Sequence, residues 1–288
     1  MISTFQLKFG RGPGMAATPI PASPVTVFVG PNNSGKSKVL AEIEQFCRTG
    51  QKSTAAVILE GLTSSGLPAD KALEAIEHLK QAPNPGESLQ VDHIFIGSRY
   101  GRQQIHLGNL TQCVQNPSDN PNAYCTWFLI HSTLMLDGRN RINLVNPQPA
   151  GDLQLAPQSS FQVLFRDDAK RREARRIVCE AFGSYFVIDP TNLGQFRIRL
   201  SRREPVNGGT GTSCGCCAVP RGCPIDRSRE RWVGIITELM AGDPCVLLID
   251  EPEAFLHPSL ASKLGYEVAR AALPADKRYL PLHTVQPS

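Results

Sequence analysis

Gly30-Pro31-Asn32-Asn33-Ser34-Gly35-Lys36-Ser37 is the stretch from which the rest of the chain is read. It fits G-x-x-x-x-G-K-[ST], the pattern of a phosphate-binding loop. Each fixed position has a chemical reason. Gly30 lets the chain leave a strand in a tight turn. Gly35 lacks a Cβ, so the backbone can curl around a phosphate with its N–H groups inward. A helix starting here points its positive end at the same place. Lys36 adds a point charge for the terminal phosphates, and the Ser37 hydroxyl is a ligand type suited to Mg²⁺. The flanks agree. Val25 to Val29 is a β-branched and aromatic run that reads as a buried strand, and Val39, Leu40, Ile43 and Phe46 recur at helical spacing to about Cys47.

Such a loop needs a carboxylate on a neighbouring strand to orient the metal. Cys245 to Ile249 is a short apolar run that reads as a buried strand, and Asp250 follows at its carboxyl end, where ligands sit in α/β sheets. Asp250 is expected to hold the Mg²⁺ shell. Glu251, one residue later, is placed to polarise an attacking water, a pairing that points to hydrolysis.

Asp250-Glu251-Pro252-Glu253-Ala254-Phe255-Leu256-His257-Pro258, taken with Gly30 to Ser37, resembles the ATP-binding-cassette-type heads of the OLD (overcoming lysogenization defect) family. Those in turn resemble the heads of RecF and the structural-maintenance-of-chromosomes (SMC) proteins. The specific resemblance covers residues 1–50 and 225–275. It implies an α/β P-loop NTPase head of ABC type with a central mixed sheet and a middle insertion. It also implies Mg-ATP binding, ATP hydrolysis, and a homodimer with ATP between two heads. Carried over, residues 30–37 bind nucleotide, Ser37 and Asp250 serve the metal, and Glu251 is the catalytic carboxylate. His257 either packs at the dimer seam or caps the following helix. The implied use is to drive a nucleic-acid or nuclease partner. Two rival readings stand beside it: an ATP-binding subunit of an ABC transporter, and an ATP-binding switch or frame-damaged product without turnover. No Asn-Lys-x-Asp guanine pattern occurs, which points to ATP.

The resemblance asks for three further elements. A Gln that senses the γ-phosphate is sought at Gln103 or Gln104, which read equally as polar loop residues. A Ser-Gly signature should precede the helix Trp232 to Met240, but Asp226 to Arg231 offers only Ser228, as a helix cap. A last strand ending in Thr-His-Ser should follow the helix Ser259 to Ala272. Tyr279 to Ser288 reads instead as a Pro-broken tail, so the head is expected to be incomplete at its end. Codons exist for Leu282 to Gln286 that, shifted in frame, encode Thr-His-Ser-Pro, so the alternative is a shifted reading frame. Cys214, Cys216, Cys217 and Cys223 raise a similar choice between a metal site, an irregular insertion and a local frame error.

The expected segments are 1–50 and 161–288 for the head, with a lobe at 51–160. The lobe is predicted to hold a helix over 70–81, a strand at Val91 to Ile96, a loop over 108–123, and a hairpin of Trp127 to Leu136 with Arg141 to Val145 turned at Asp137-Gly138. Asp167 to Phe182 reads as a charged helix ended by Gly183, followed by strands at Tyr185 to Ile188 and Phe196 to Leu200.

Of the 288 residues 41% are hydrophobic and 19% charged, values that exclude wholesale disorder. No run of 18 apolar residues is present, so no transmembrane helix is expected, and Met1 to Lys8 lacks the charged and apolar regions of a signal peptide. Reduced cysteines in a cytoplasmic protein, with no membrane partner, are the expectation. The net charge of +4 is uneven: residues 166–231 hold 14 basic and 8 acidic residues, a net of +6, which leaves −2 elsewhere. Arg166, Lys170, Arg171, Arg172, Arg175 and Arg176 are either a nucleic-acid contact or a solvated face offset by Asp167, Asp168 and Glu173. Without interleaved aromatic residues, the second reading is preferred.

Overall fold

The computed structural model describes residues 1–9, 14–31, 33–98, 101–192, 194–202, 227–242, 244–252, 256–272 and 278–284. In chain order, β1 (Ile2–Leu7), β2 (Pro19–Pro21) and β3 (Phe28–Gly30) lead into α1 (Lys36–Thr49). Next come β4 (Leu59–Ser64), α2 (Ala69–Leu79), β5 (Lys80–Gln81), β6 (His93–Ser98), β7 (Gly101–His106) and α3 (Leu107–Gln115). A helix then runs through α4 (Pro121–Tyr124), a π segment (Cys125–Leu129) and α5 (Ile130–Ser132) into β8 (Thr133–Leu136). After α6 (Gly138–Asn143) and β9 (Gln148–Pro149) follow α7 (Ser160–Arg166), α8 (Asp168–Phe182), β10 (Tyr185–Asn192) and β11 (Gln195–Ser201). The chain continues with α9 (Arg227–Gly242), β12 (Val246–Ile249), α10 (Pro258–Ala272) and β13 (Arg278–Thr284).

Packing groups the chain into two compact units. One compact unit holds Met1–Asp137, Pro244–Pro252 and Val268–Ser288; the other holds Gly138–Asp243 and Glu253–Glu267. The first unit contains a four-stranded parallel sheet in the order β3-β13-β12-β8. All residues of β8 and β12 are buried, as a parallel sheet covered on both faces requires. Helix α1 packs through Val39, Leu40, Ile43, Phe46 and Cys47, one stripe at spacings of three and four. Gly50 ends it in the left-handed region (φ 71°), and a Cβ there would lie 2.6 Å from the Cα of Asn122, so this position needs glycine twice over. The same unit carries the antiparallel sheets β2-β1-β4 and β5-β6-β7.

The second unit holds the sheet β10-β11-β9 with α7, α8 and α9. Helix α8 begins and ends where the sequence says. The Asp167 carboxylate accepts from the N–H groups of Ala169 and Lys170, and Gly183 (φ 62°) donates to the Cys179 carbonyl.

Four expectations are corrected. Trp127 to Leu136 does not pair with Arg141 to Val145. Residues 127–132 belong to the helix started at Asn120, whose side chain accepts from the Ala123 N–H, and only Thr133–Leu136 are extended. Their partner is β12, parallel, more than a hundred residues on. A continuous apolar run carries no period, so Asp137-Gly138 made a hairpin look local; the hairpin in this region is β6–β7 instead. The expected loop 108–123 contains α3, whose buried positions Leu110 and Val114 lie four apart among exposed or half-buried polar residues. The strand before the phosphate loop reduces to Phe28–Gly30 at the edge of its sheet, with Val27 and Val29 exposed rather than buried. Residues 279–284 of the expected Pro-broken tail belong to β13, a strand with parallel partners on both sides.

Candidate functional site

β3 ends at Gly30, and the loop that follows delivers the chain to the first turn of α1. Gly35 is the residue before the helix, at φ 88°, a conformation that disfavours any side chain. A Cβ at Gly35 would lie 2.7 Å from Cδ1 of Ile58. No side chain caps α1 at its N-terminus, and its first turn holds no acidic residue, so the N–H groups there keep their positive field for a ligand. Pro31, Asn33, Ser34 and Ser37 are exposed; Asn32 lies outside the described residues. Lys36 is buried. Its ammonium donates to the carbonyls of Gly30 (3.0 Å) and Pro31 (2.8 Å), so the lysine braces its own loop with two of its three hydrogens.

The acidic residues arrive from β12. The Asp250 N–H donates to the Leu136 carbonyl at 3.0 Å, which continues the β12–β8 ladder to the edge of the sheet. Oδ1 of Asp250 is buried with no hydrogen-bond partner among the described residues. Glu251 follows in the left-handed region (φ 48°), unusual for a residue with a side chain. Gly30 and Asp250 therefore leave parallel strands at the same carboxyl edge. Only β13 intervenes, which makes the spacing two strands, about 10 Å. Register places Asp250 level with Leu282 and Phe28, so Gly30, level with Thr284, lies two residues, about 7 Å, further along the strand direction.

These residues fit a magnesium nucleotide. The open helix end and the glycine at φ 88° form a cradle for phosphate, and the orphaned Asp250 oxygen is an unanswered acceptor that a cation satisfies. No three His, Cys, Asp or Glu side chains form a metal cage among the described residues. Mg²⁺ does not require one, because it keeps waters and uses one or two carboxylates with substrate phosphates.

The loop is braced from behind by a residue that the sequence pattern does not single out. Glu42 of α1 is buried, and its carboxylate accepts the N–H groups of Val57 (2.7 Å), Ile58 (3.0 Å) and Leu59 (2.7 Å). It thereby fixes Ile58, the residue against Gly35. Burial pushes this carboxyl up, but the three N–H groups and Lys38 outweigh burial and hold it below its ordinary value. Glu42→Ala is expected to cost about 3 kcal/mol in a denaturation measurement. The stabilisation belongs to the charged form. It is complete above the ordinary carboxylate range near pH ~4.3 and is lost as pH falls through the depressed value.

The other candidates fall elsewhere. Gln103 and Gln104 lie on β7, in the antiparallel sheet β5-β6-β7. The Gln103 amide donates to the Thr126 carbonyl (3.0 Å) and to Nε2 of the buried His131 (2.8 Å), whose Nδ1 lies 3.0 Å from the Ser98 hydroxyl. His257 accepts at Nδ1 from the Ser259 N–H (3.4 Å), the local helix-start role. Glu253 to Phe255, Asp226, the four clustered cysteines and Val285 to Ser288 lie outside the described residues, as does the side chain of Ser228.

The basic helix is tied inward. Lys170 donates to the Ala241 carbonyl (3.0 Å), Arg171 to the Leu164 carbonyl (3.0 Å) and to Asp168, Arg172 to the Asp168 carbonyl (3.3 Å), and Arg175 to the Phe186 carbonyl (3.1 Å). Arg176 pairs with Glu173 and Glu180. Arg197 and Arg199 share Asp189. Burial would raise that carboxyl, but Thr191 and the two guanidinium groups hold it well below the usual range.

Among solved structures the chain is similar to the SMC head bound to the C-winged helix domain of ScpA, with a TM-score of 0.53 and 11% identity over 99% of this chain and 90% of that one. It is also similar to the SMC head domain from Thermotoga maritima, with a TM-score of 0.43 and 13% identity over 99% of this chain and 89% of that one. The fold is that of an ABC-type α/β P-loop head. Over 106 residues, 35% of its length, the chain is 31% identical to the probable siderophore transport system ATP-binding protein YusV of Bacillus subtilis (strain 168). The match spans 38% of that protein. No family model matches the chain. No helix among the described residues is long and apolar enough to cross a membrane.

Proposed function

We propose that the chain binds ATP with Mg²⁺ and hydrolyses it. The observation that carries this reading is the convergence of the Gly30–Ser37 loop and the Asp250-Glu251 pair on one edge of the parallel sheet. The N–H groups at the start of α1 and the Lys36 ammonium hold the phosphates. Ser37 and Asp250 hold the metal, which when bound neutralises charge on the terminal phosphates. Glu251 orients a water and takes its proton as the water oxygen bonds to the γ-phosphorus. The bond to the β,γ-bridging oxygen breaks, giving ADP and phosphate.

By resemblance to the OLD, RecF and SMC heads, two copies close over the exposed loop residues with nucleotide between them and drive a nucleic-acid or nuclease partner. The second reading is an ATP-binding subunit of a transporter, favoured by the 31% identity with YusV. Both readings share the same nucleotide chemistry. An ATP titration of the purified chain with and without Mg²⁺, followed by phosphate release, tests it. Magnesium-dependent binding and turnover are expected. Binding without turnover would leave a nucleotide switch, and no binding would end the proposal.

A further inference from the structure

We infer that the helix leading into β8 is a two-position switch set by the β6–β7 hairpin: the Gln103 side chain, by taking the Thr126 carbonyl, holds the π turn open, and its withdrawal lets the turn close to α. What the switch governs, the seating of the phosphate loop, rests on the nucleotide reading above.

One carbonyl is contested. In an α-helix the Thr126 carbonyl would accept from the Ile130 N–H, four residues on. Here that N–H donates to the Cys125 carbonyl, five residues back, and to that of Phe128. The Thr126 carbonyl accepts instead from the Gln103 amide at 3.0 Å. Two donors thus compete for one acceptor, and each belongs to a different helix geometry. Inside a protein a carbonyl without a donor is costly, so when Gln103 withdraws the Ile130 N–H takes its place. The ladder around it is already loosened. The Thr126 hydroxyl donates to the Asn122 carbonyl (2.8 Å), and the Thr133 hydroxyl to that of Leu129 (2.7 Å).

Gln103 is itself held in place. Its second amide hydrogen goes to Nε2 of the buried His131 (2.8 Å), which is therefore the acceptor nitrogen. Nδ1 then carries the proton and donates to the Ser98 hydroxyl at 3.0 Å. Burial pushes the pKa of this imidazole down to about 4, so at neutral pH Nε2 keeps its lone pair for Gln103. Ser98 ends β6 and Gln103 lies on β7, so both strands of the hairpin grip the helix.

The π turn adjoins both structures that carry nucleotide residues. Helix α1, which starts at the phosphate loop, packs against it, with Phe46, Cys47, Cys125, Phe128 and Leu129 in one buried core. Downstream the helix runs into β8, which pairs with β12 ahead of Asp250. Closing the turn advances one end of the helix by a residue, about 1.5 Å of rise and about 100° of rotation. β8 is fixed in its sheet, so the displacement falls on the residues packed under α1.

The test reads the bond directly. Scalar couplings across hydrogen bonds, measured by NMR on the deuterated full chain, show which nitrogen is bonded to the Thr126 carbonyl. A titration with a fluorescent ATP analogue in magnesium gives affinity. The parent should couple Thr126 to the Gln103 amide. Gln103→Leu keeps the bulk and removes both donors. Its Thr126 should couple to Ile130 instead, and ATP affinity should fall by about 5- to 150-fold, the usual size of coupling between sites. Gln103→Met, closer in length, should do the same, and it carries the test if the Leu variant melts early. A Thr126 carbonyl that takes no new donor overturns the switch, as does a parent in which Ile130 is already bonded to it. A turn that closes with ATP affinity within about twofold of the parent overturns its hold on the loop and leaves the nucleotide reading intact. If the parent binds no ATP, the nucleotide reading falls, while the Thr126 couplings still decide whether the switch exists.

Discussion

Glu251→Gln is expected to abolish turnover while ATP stays bound. The amide keeps the size of the side chain and its ability to touch a water, but it cannot take a proton from that water. General-base catalysis contributes about 10²- to 10⁴-fold, so kcat should fall by that much, with ATP affinity within about threefold of the parent. Phosphate release under saturating ATP measures the first, and equilibrium titration the second. A variant that still turns over at half the parental rate would remove Glu251 from the chemistry. Its backbone at φ 48° adds a second expectation. Glu251→Gly relieves the conformational strain, so it should lose turnover as completely while melting no earlier than the parent. Stability and activity then separate at a single position.

Lys36→Ala should act on binding. Charge-assisted hydrogen bonds to phosphate contribute about 1.5–3 kcal/mol, or about 10- to 100-fold in ATP affinity. The loss should be smaller for ADP, which lacks the γ-phosphate, so the ATP/ADP affinity ratio is the diagnostic. A second effect follows from the brace to the Gly30 and Pro31 carbonyls. Without it, the turn between β3 and α1 loses the ties that hold it when no phosphate is present. Lys36→Arg keeps charge but is too large for a buried position with two close acceptors, so it should behave nearly as badly. Equal affinity in Lys36→Ala and the parent would mean that nucleotide, if bound, sits elsewhere.

Legibility from sequence tracked the range of the interactions involved. The phosphate loop, α1 and α8 were legible because their determinants are local: Gly35 for a left-handed turn, Asp167 and Gly183 for caps, and an apolar stripe at spacings of three and four. Asp250 was legible because four buried residues lead straight into it. The segment Trp127 to Leu136 was not, since an apolar run without period suits a helix and a strand equally, and its partner β12 is distant in sequence. Glu42 gives no sequence signal, because its acceptor role depends on where residues 57–59 pass α1. β13 was misread because Pro281 removes one ladder donor, although partners on both sides supply other bonds.

β13 also sets an order of events during synthesis. The loop at residues 30–37 and the pair at 250–251 lie on strands that never touch, and residues 278–284 are the spacer that joins them. A nascent chain that has emerged through Pro252 already carries every group the proposed chemistry uses, yet lacks the strand that sets their separation. On the proposed reading, a chain truncated before Arg278 is expected to keep both motifs and lose nucleotide turnover, which phosphate release measures.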